Sequence, residues 1–209
     1  MKTLVIGANG KIGRQFCVLA AQSGLPIRAM IRDGGQADFF NQLGVETVIA
    51  DLEGDFASAY ENCEQVIFTA GSGPTTGADK TLMVDLYGAI RAVDLADERG
   101  LGRFVMVSAM RAANPLAAPE KLRPYCAAKF AADQYLRHAA TEHVILKPGR
   151  LTDEPPSGCI TTDPEAVEHI DISRGNVAHA LLAVARNRAL RNREYDLLDG
   201  EQPIDTVFS

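Results

Sequence analysis

Near the start of the chain an apolar run, Thr3–Ile6, passes straight into Gly7-Ala8-Asn9-Gly10-Lys11-Ile12-Gly13, and a helix-compatible stretch then reaches Ser23 before Gly24. A strand, a glycine loop and a helix in that order leave the free N–H groups of a helix N-terminus facing whatever lies over the loop, which suits an anion. Glycine serves the sharp turn, the approach of backbone to a pyrophosphate and the packing of helix on strand. The chain has 18 glycines, so three of them alone say little. Their place between strand and helix is what favours a dinucleotide site over a tight structural turn.

Further apolar runs follow at Ile27–Ile31, Glu46–Ala50, Gln65–Ala70, Arg103–Ser108 and His143–Leu146. They are too continuous for half-exposed antiparallel strands and predict buried parallel ones. Helical segments separate them. In Lys80–Arg99, Leu82, Leu86, Ile90 and Val93 share one face, Asp85, Arg91, Asp94 and Glu98 fall elsewhere, and Gly100 supplies the stop. Strand and helix in alternation predict an α/β fold, a doubly wound parallel sheet of Rossmann-like type with helices on both faces. After Gly149 the rhythm breaks: Leu151–Asp163 is rich in Pro, Gly and Thr, Val167–Ile172 reads as a short strand, Arg174–Arg188 as a helix and Glu194–Leu198 as a strand. The 209 residues are expected to form one domain, with residues 150–209 contributing most of a substrate pocket.

Composition removes several classes of partner. With 27 acidic and 21 basic residues the formal charge is −6, and no Lys/Arg stripe offers a basic face, so neither nucleic acid nor an anionic membrane is an expected partner. No window approaches ~18 uninterrupted apolar residues, and the N-terminal apolar run is too short for a signal-peptide core, so a cytoplasmic location is expected. Cys17, Cys63, Cys126 and Cys159 form no CxxC pair, and His138, His143, His169 and His179 lack the i, i+4 spacing of a helical metal pair. Free thiols and no metal site are the expectation.

Three strand ends carry candidate chemistry, because open α/β sheets bind ligands at their carboxyl edge. Ile31 is followed by Arg32-Asp33. An Arg there can pair with a 2′-phosphate, which favours NADP; a carboxylate would accept from a ribose 2′-OH, so Asp33 keeps NAD open. Asp51-Leu52 closes the third strand, and Asp51 suits either the adenine amino group or the N-cap of a short helix after Glu53. Ser108 ends the fifth strand, and Tyr125 and Lys129 lie four residues apart on a predicted helix from Tyr125 to His138, hence on one face. A lysine ammonium beside a phenol is expected to lower the phenol pKa, with Tyr125 passing a proton to or from a carbonyl oxygen that Ser108 holds.

The order GANGKIG, IRAMIRD, VIADLEGD, VIFTAGSG, FVMVSA, YCAAK, VILKPGRLTDE and SRGNVAHAL resembles the atypical short-chain dehydrogenase/reductases of the NAD(P)-binding, NmrA-like and epimerase-like branch, over nearly the whole chain. The resemblance implies cofactor contacts at Gly7, Asn9, Gly10, Lys11, Ile12, Arg32, Asp51, Leu52, Ala70, Gly71, Lys129 and Pro148. It also implies Ser108, Tyr125 and Lys129 as a reductase triad. The pattern departs at Lys147, where Arg usually precedes Pro-Gly, and at Asn176, where Asp is usual. An NAD(P)-dependent oxidoreductase acting on a small carbonyl, quinone or flavin-like molecule is the expected activity. Its alternatives are a non-catalytic NADP(H) sensor and an NAD-dependent epimerase or dehydratase.

Overall fold

Alternation along each strand sends neighbouring side chains to opposite faces of a sheet. The computed structural model, which describes residues 2–73 and 75–209, shows two separate cores built on that rule. In β1 (Lys2–Ile6), Leu4 and Ile6 enter one core and Val5 the other. β4 (Cys63–Phe68) repeats the division with Val66 and Phe68 against Ile67, and β5 (Arg103–Val107) with Phe104 and Met106 against Val105. Strands buried on both faces need helical crossovers, and each face has its pair. Phe16, Cys17 and Ala20 of α1 (Lys11–Gln22) close the Val5 side together with Val177, Leu181 and Val184 of α6 (Arg174–Arg186). Ala92, Val93 and Ala96 of α4 (Ala89–Glu98) close the other with Ala132 and Leu136 of α5 (Arg123–Arg137).

The remaining strands are β2 (Ile27–Ile31), β3 (Glu46–Ile49), β6 (His143–Pro148), β7 (Arg150–Thr152), β8 (Cys159–Thr161), β9 (Asp171–Ser173), β10 (Arg193–Asp199) and β11 (Gln202–Pro203). Nine of the strands make one sheet in the order β11-β8-β10-β6-β5-β4-β1-β2-β3, with β7 and β9 paired apart. From β10 to β3 every pairing is parallel, and Val5 stands opposite both Ala29 and Ile67. β8 and β11 add an antiparallel edge. Short helices α2 (Ala37–Gln42), α3 (Ala78–Lys80) and α7 (Ile204–Val207) complete the fold. Among the described residues no helix is long and apolar enough to cross a membrane, and no three potential metal-ligating side chains gather.

Several elements differ from the sequence reading. β3 is the outermost strand of the sheet, so it is partly exposed where a buried strand is expected, and Ile49 faces out. The single helix expected over Lys80–Arg99 is α3, a π-helical segment Thr81–Gly88 and then α4. The wider turns of that segment change which residues face inward: Leu82 is 56% exposed, while Thr81, Asp85 and Gly88 are buried. Within Leu151–Asp163, where the sequence reading saw only a stretch rich in Pro, Gly and Thr, lie β8 and most of β7. The strand expected at Val167–Ile172 sits instead at Asp171–Ser173, and the following helix stops at Arg186.

At the sheet edge where β1, β4 and β5 begin, Arg103 is buried and donates to the Val184, Ala185, Asn187 and Leu190 carbonyls at the end of α6. It also donates to Gln65 Oε1, and Gln65 donates on to Thr3 Oγ1 at 2.7 Å. The last turn of a helix leaves four carbonyls without N–H partners, and one guanidinium answers most of that need here.

Candidate functional site

Gly7 holds φ +84°, and a Cβ there would lie 2.4 Å from the Ala70 nitrogen, so the loop after β1 can pass β4 only as glycine. A Cβ on Gly13 would lie 2.4 Å from the Gly7 carbonyl oxygen. Gly10 differs: its Cβ would meet only Gly7 O, at 3.2 Å. Gly10 is the N-cap of α1, offers no side-chain cap, and the first turn that follows contains no acid. The N–H groups of that turn are left for an outside acceptor, and the loop borders a cavity of about 330 Å³. An uncapped helix end beside a bare glycine cradle fits the pyrophosphate of a dinucleotide.

Of the residues expected to contact a cofactor, Gly7, Asn9, Gly10, Arg32, Asp51, Leu52, Ala70 and Gly71 line this cavity, as do Gln36, Glu53, Lys80 and Val84. Lys11, Ile12, Lys129 and Pro148 lie outside its lining. Lys11 pairs with Asp153 at 2.6 Å, Ile12 packs on the Val5 core, and Pro148 ends β6 opposite Leu197 of β10. Asn9 accepts from Arg14 at 2.8 Å, and the Arg14 guanidinium lies 3.6 Å from the Phe39 ring centroid. Asp33 caps the short turn Gly34–Gln36 by accepting from Gly35 N at 2.9 Å and does not reach the cavity wall. Asp51 accepts from Glu53 N at 3.0 Å, so it closes a turn while facing the cavity; the helix expected after Glu53 begins only at Ala57.

A second cluster gathers where β4 and β5 end, outside that cavity. Ser108 is 3% exposed and donates to Asp133 Oδ2 at 2.7 Å. Lys129 is equally enclosed: its Nζ donates to the Ala70 and Val107 carbonyls, each at 3.3 Å, and lies 3.4 Å from Asp85 Oδ1. Asp85 Oδ2 accepts from Ser72 N at 2.9 Å. Tyr125, Lys129 and Asp133 stand at four-residue intervals on α5 and form one stripe along it.

The electrostatics of the stripe reverse one expectation. Lys129 does not depress the Tyr125 phenol; burial foremost, then the Asp85 carboxylate, and then Cys126 and Asp133 push it above its ordinary value of 10.0. Asp85 sits against the lysine and offsets its charge, so the phenol meets desolvation and acids without a free cation. Burial also raises Asp133 from 3.8 to about 6, against the bond from Ser108 and the charges of Lys129, Lys147 and Arg137.

Asp85 and Asp133 are the two residues that the sequence reading passed over. Asp85 was grouped with the outward polar residues of its helix, yet it is fully buried. The available signal was the stripe of small residues Gly88, Ala89, Ala92 and Ala96, which marks the inward face better than the large apolar ones do. For Asp133 the signal was its four-residue step beyond Lys129. The two departures from the family pattern have local partners. Lys147 pairs with Glu194. Asn176 is fully buried, accepts from Gly158 N, and donates to Ser157 Oγ, Cys159 O and Asp199 Oδ1.

A family profile described as NAD(P)H-binding matches residues 7–188. A Bacillus subtilis protein named as an uncharacterized sugar epimerase, YhfK, is 41% identical over 208 residues, which is 98% of this chain and 97% of that protein. The solved structure of a Bacillus halodurans protein assigned as an NAD-dependent epimerase/dehydratase superposes with a TM-score of 0.95 at 36% identity, over 100% of this chain and 98% of the other. The anaerobillin reductase ChuY of Escherichia coli O157:H7 shares the fold, with a TM-score of 0.80 at 23% identity over 96% of this chain and 98% of its own.

Proposed function

The chain belongs to the NAD(P)H-binding family, and from that premise we propose that it is an NADP-dependent oxidoreductase that reduces a small carbonyl, quinone or flavin-like compound. Tyr125 is the proton donor and Ser108 holds the substrate oxygen, while Lys129, its charge offset by Asp85, lies beside them. The observation that carries this reading is the geometry: Ser108 follows β5 at the carboxyl edge of the sheet, Tyr125 and Lys129 lie on one stripe of α5, and Lys129 bonds Ala70 at the wall of the cradle cavity. A phenol carries its proton near neutral pH, and carbonyl reduction needs a proton donor because the oxygen must gain a proton. Epimerisation, the chemistry in the names of two relatives, begins by removing a proton from a hydroxyl. The elevated phenol works against that first step.

When bound, a nicotinamide cofactor supplies the hydride. The first turn of α1 and Gly10 would hold its pyrophosphate, and Arg32 its 2′-phosphate. Asp33 is committed to its turn, which supports NADP over NAD. Asp51 and Leu52 would face the adenosine half, and Ala70, Gly71, Lys129 and Pro148 the nicotinamide half. The substrate is proposed to rest mainly on residues 150–209 of this single domain. In support, Asp153 bonds both Lys11 beside the glycine loop and Arg174 at the start of α6, which holds that portion against the loop. At the reacting oxygen, Ser108 fixes position and Tyr125 gives up its proton.

The test is NADPH oxidation by the purified protein with menadione, FMN and short aldehydes as acceptors. Turnover is expected with at least one of them. Tyr125→Phe is expected to lower that rate by about 10²–10⁴-fold while NADPH affinity stays the same, because only the hydroxyl is removed. Tight NADPH binding with no turnover of any acceptor would replace this reading with a cofactor sensor.

A further inference from the structure

The Ser108 hydroxyl, which the proposed chemistry needs as a donor to the substrate oxygen, already spends its hydrogen on Asp133 at 2.7 Å. A hydroxyl has one hydrogen and two lone pairs. While it donates to an ionised Asp133, it can only accept on its other side. A protonated Asp133 turns the bond round, since the acid then donates to Ser108 Oγ and frees the serine hydrogen for a carbonyl. We propose that Asp133 is a positioning residue whose own proton sets the direction of the Ser108 hydrogen bond, so that the site takes a carbonyl when Asp133 is protonated and an alcohol when it is ionised. The proposal rests on the reductase reading of the same site.

Three observations support it. Asp133 is 2% exposed, so its charge is not stabilised by water. Its second oxygen, Oδ1, is buried without a hydrogen-bond partner, so the carboxylate is only half satisfied and a proton on Oδ2, facing Ser108, is favoured. The cations around it are committed elsewhere. Ser108 faces it from the end of β5, Lys129 and Arg137 from its own helix, and Lys147 from β6. Arg137 and Lys147 are both paired with Glu194 of β10, and Lys129 with Asp85 of the π-helical segment. Tyr125 is the other titratable group on the stripe. Among further charged groups on elements packed against α5, Asp94 bonds Tyr135, Asp97 accepts from Ala140 N and Thr141 N, and Arg111 acts on Cys126. Asp133 is raised to about 6, close enough to neutrality for both directions of the bond to be populated.

Two measurements test the proposal, and the first needs no activity. In protein labelled with ¹³C at the aspartate carboxyl, one buried resonance assigned to Asp133 by its loss in Asp133→Asn is expected to titrate near pH 6. Its midpoint should rise further in Ser108→Ala, which removes the bond that favours the ionised form. A midpoint unchanged by Ser108→Ala, or no Asp133 titration between pH 5 and 8, overturns the proposal. The second measurement is the pH profile of NADPH-dependent menadione reduction, where kcat/KM is expected to fall about tenfold per pH unit above the midpoint. In Asp133→Asn the amide N–H donates to Ser108 as the acid would, so the profile should flatten with the rate at pH 8 above that of the parent. A profile with the same fall in Asp133→Asn also overturns it. Failure of the reductase reading looks different: no acceptor turns over at any pH. That result withdraws the substrate half of the proposal, while the titration still decides whether Ser108 and Asp133 are coupled.

Discussion

Arg32 and Asp33 are adjacent, and the backbone sends them to different tasks. Arg32 borders the cavity, whereas the Asp33 carboxylate is turned back onto Gly35 N. Arg32→Ala is therefore expected to weaken NADP by about 1.5–3 kcal/mol more than NAD, the worth of a charge-assisted contact, when both cofactors are titrated against both proteins. Equal losses would return the choice to NAD. Ser108, Tyr125 and Lys129 were legible because a strand end and a four-residue step on a helix fix relative position without knowledge of the rest. Asp85 and Asp133 were not, because whether a carboxylate is buried depends on what packs over it. The direction of the Tyr125 shift is hidden for the same reason: the lysine is visible in the sequence, and the acid that offsets it lies forty-four residues away on another element.

Among elements, the loop from β1 to α1 separates glycines that the fold requires from the one proposed to serve a ligand. Gly10 has φ −70° and ψ 164°, which any residue adopts, and its Cβ would meet one neighbour, the Gly7 carbonyl oxygen at 3.2 Å. Gly10→Val is expected to fold with a small loss of stability from the tight approach to Gly7 O, and to lose about a hundredfold or more in NADPH affinity, since a branched side chain fills the cradle. Gly7→Ala should do the reverse. Its positive φ and the 2.4 Å approach to Ala70 predict a loss of at least about 2 kcal/mol in urea unfolding. Strands β1, β2, β5 and β6 were readable to within a residue or two at each end, because central parallel strands are apolar throughout. β8 and β11 were not, as strands of two or three residues among Pro and Gly carry no periodicity. The π-helical turn over Thr81–Gly88 was hidden too: its residues have ordinary helical preferences, and only the fold shows that Asp85 in that segment sits against Lys129.

For the molecule as a whole, the two ends of the sheet carry different burdens. Arg103→Leu strips the final turn of α6 and Gln65 of a shared donor in a dry setting, and unfolding in urea is expected to need about 3–5 kcal/mol less. Glu194 gives the pH dependence. Arg137 foremost, with Lys147, holds its carboxyl down from 4.5 to about 2. A depressed acid adds stability above its unfolded pKa and loses it as pH falls toward the folded one. Glu194→Gln should then cost about 2–3 kcal/mol at pH 7, and the gap to the parent should close between pH 4.5 and 2 in melts followed by circular dichroism. β5 runs from Arg103 at one rim to Val107, with Ser108 next at the other, a distance of roughly 17 Å for an extended run of that length. Durability and the proposed reactivity are thus mounted at opposite tips of one short rod. A protein engineer could harden the lower rim around Arg103 and leave the upper rim free to be remade for a new substrate, with neither change undoing the other.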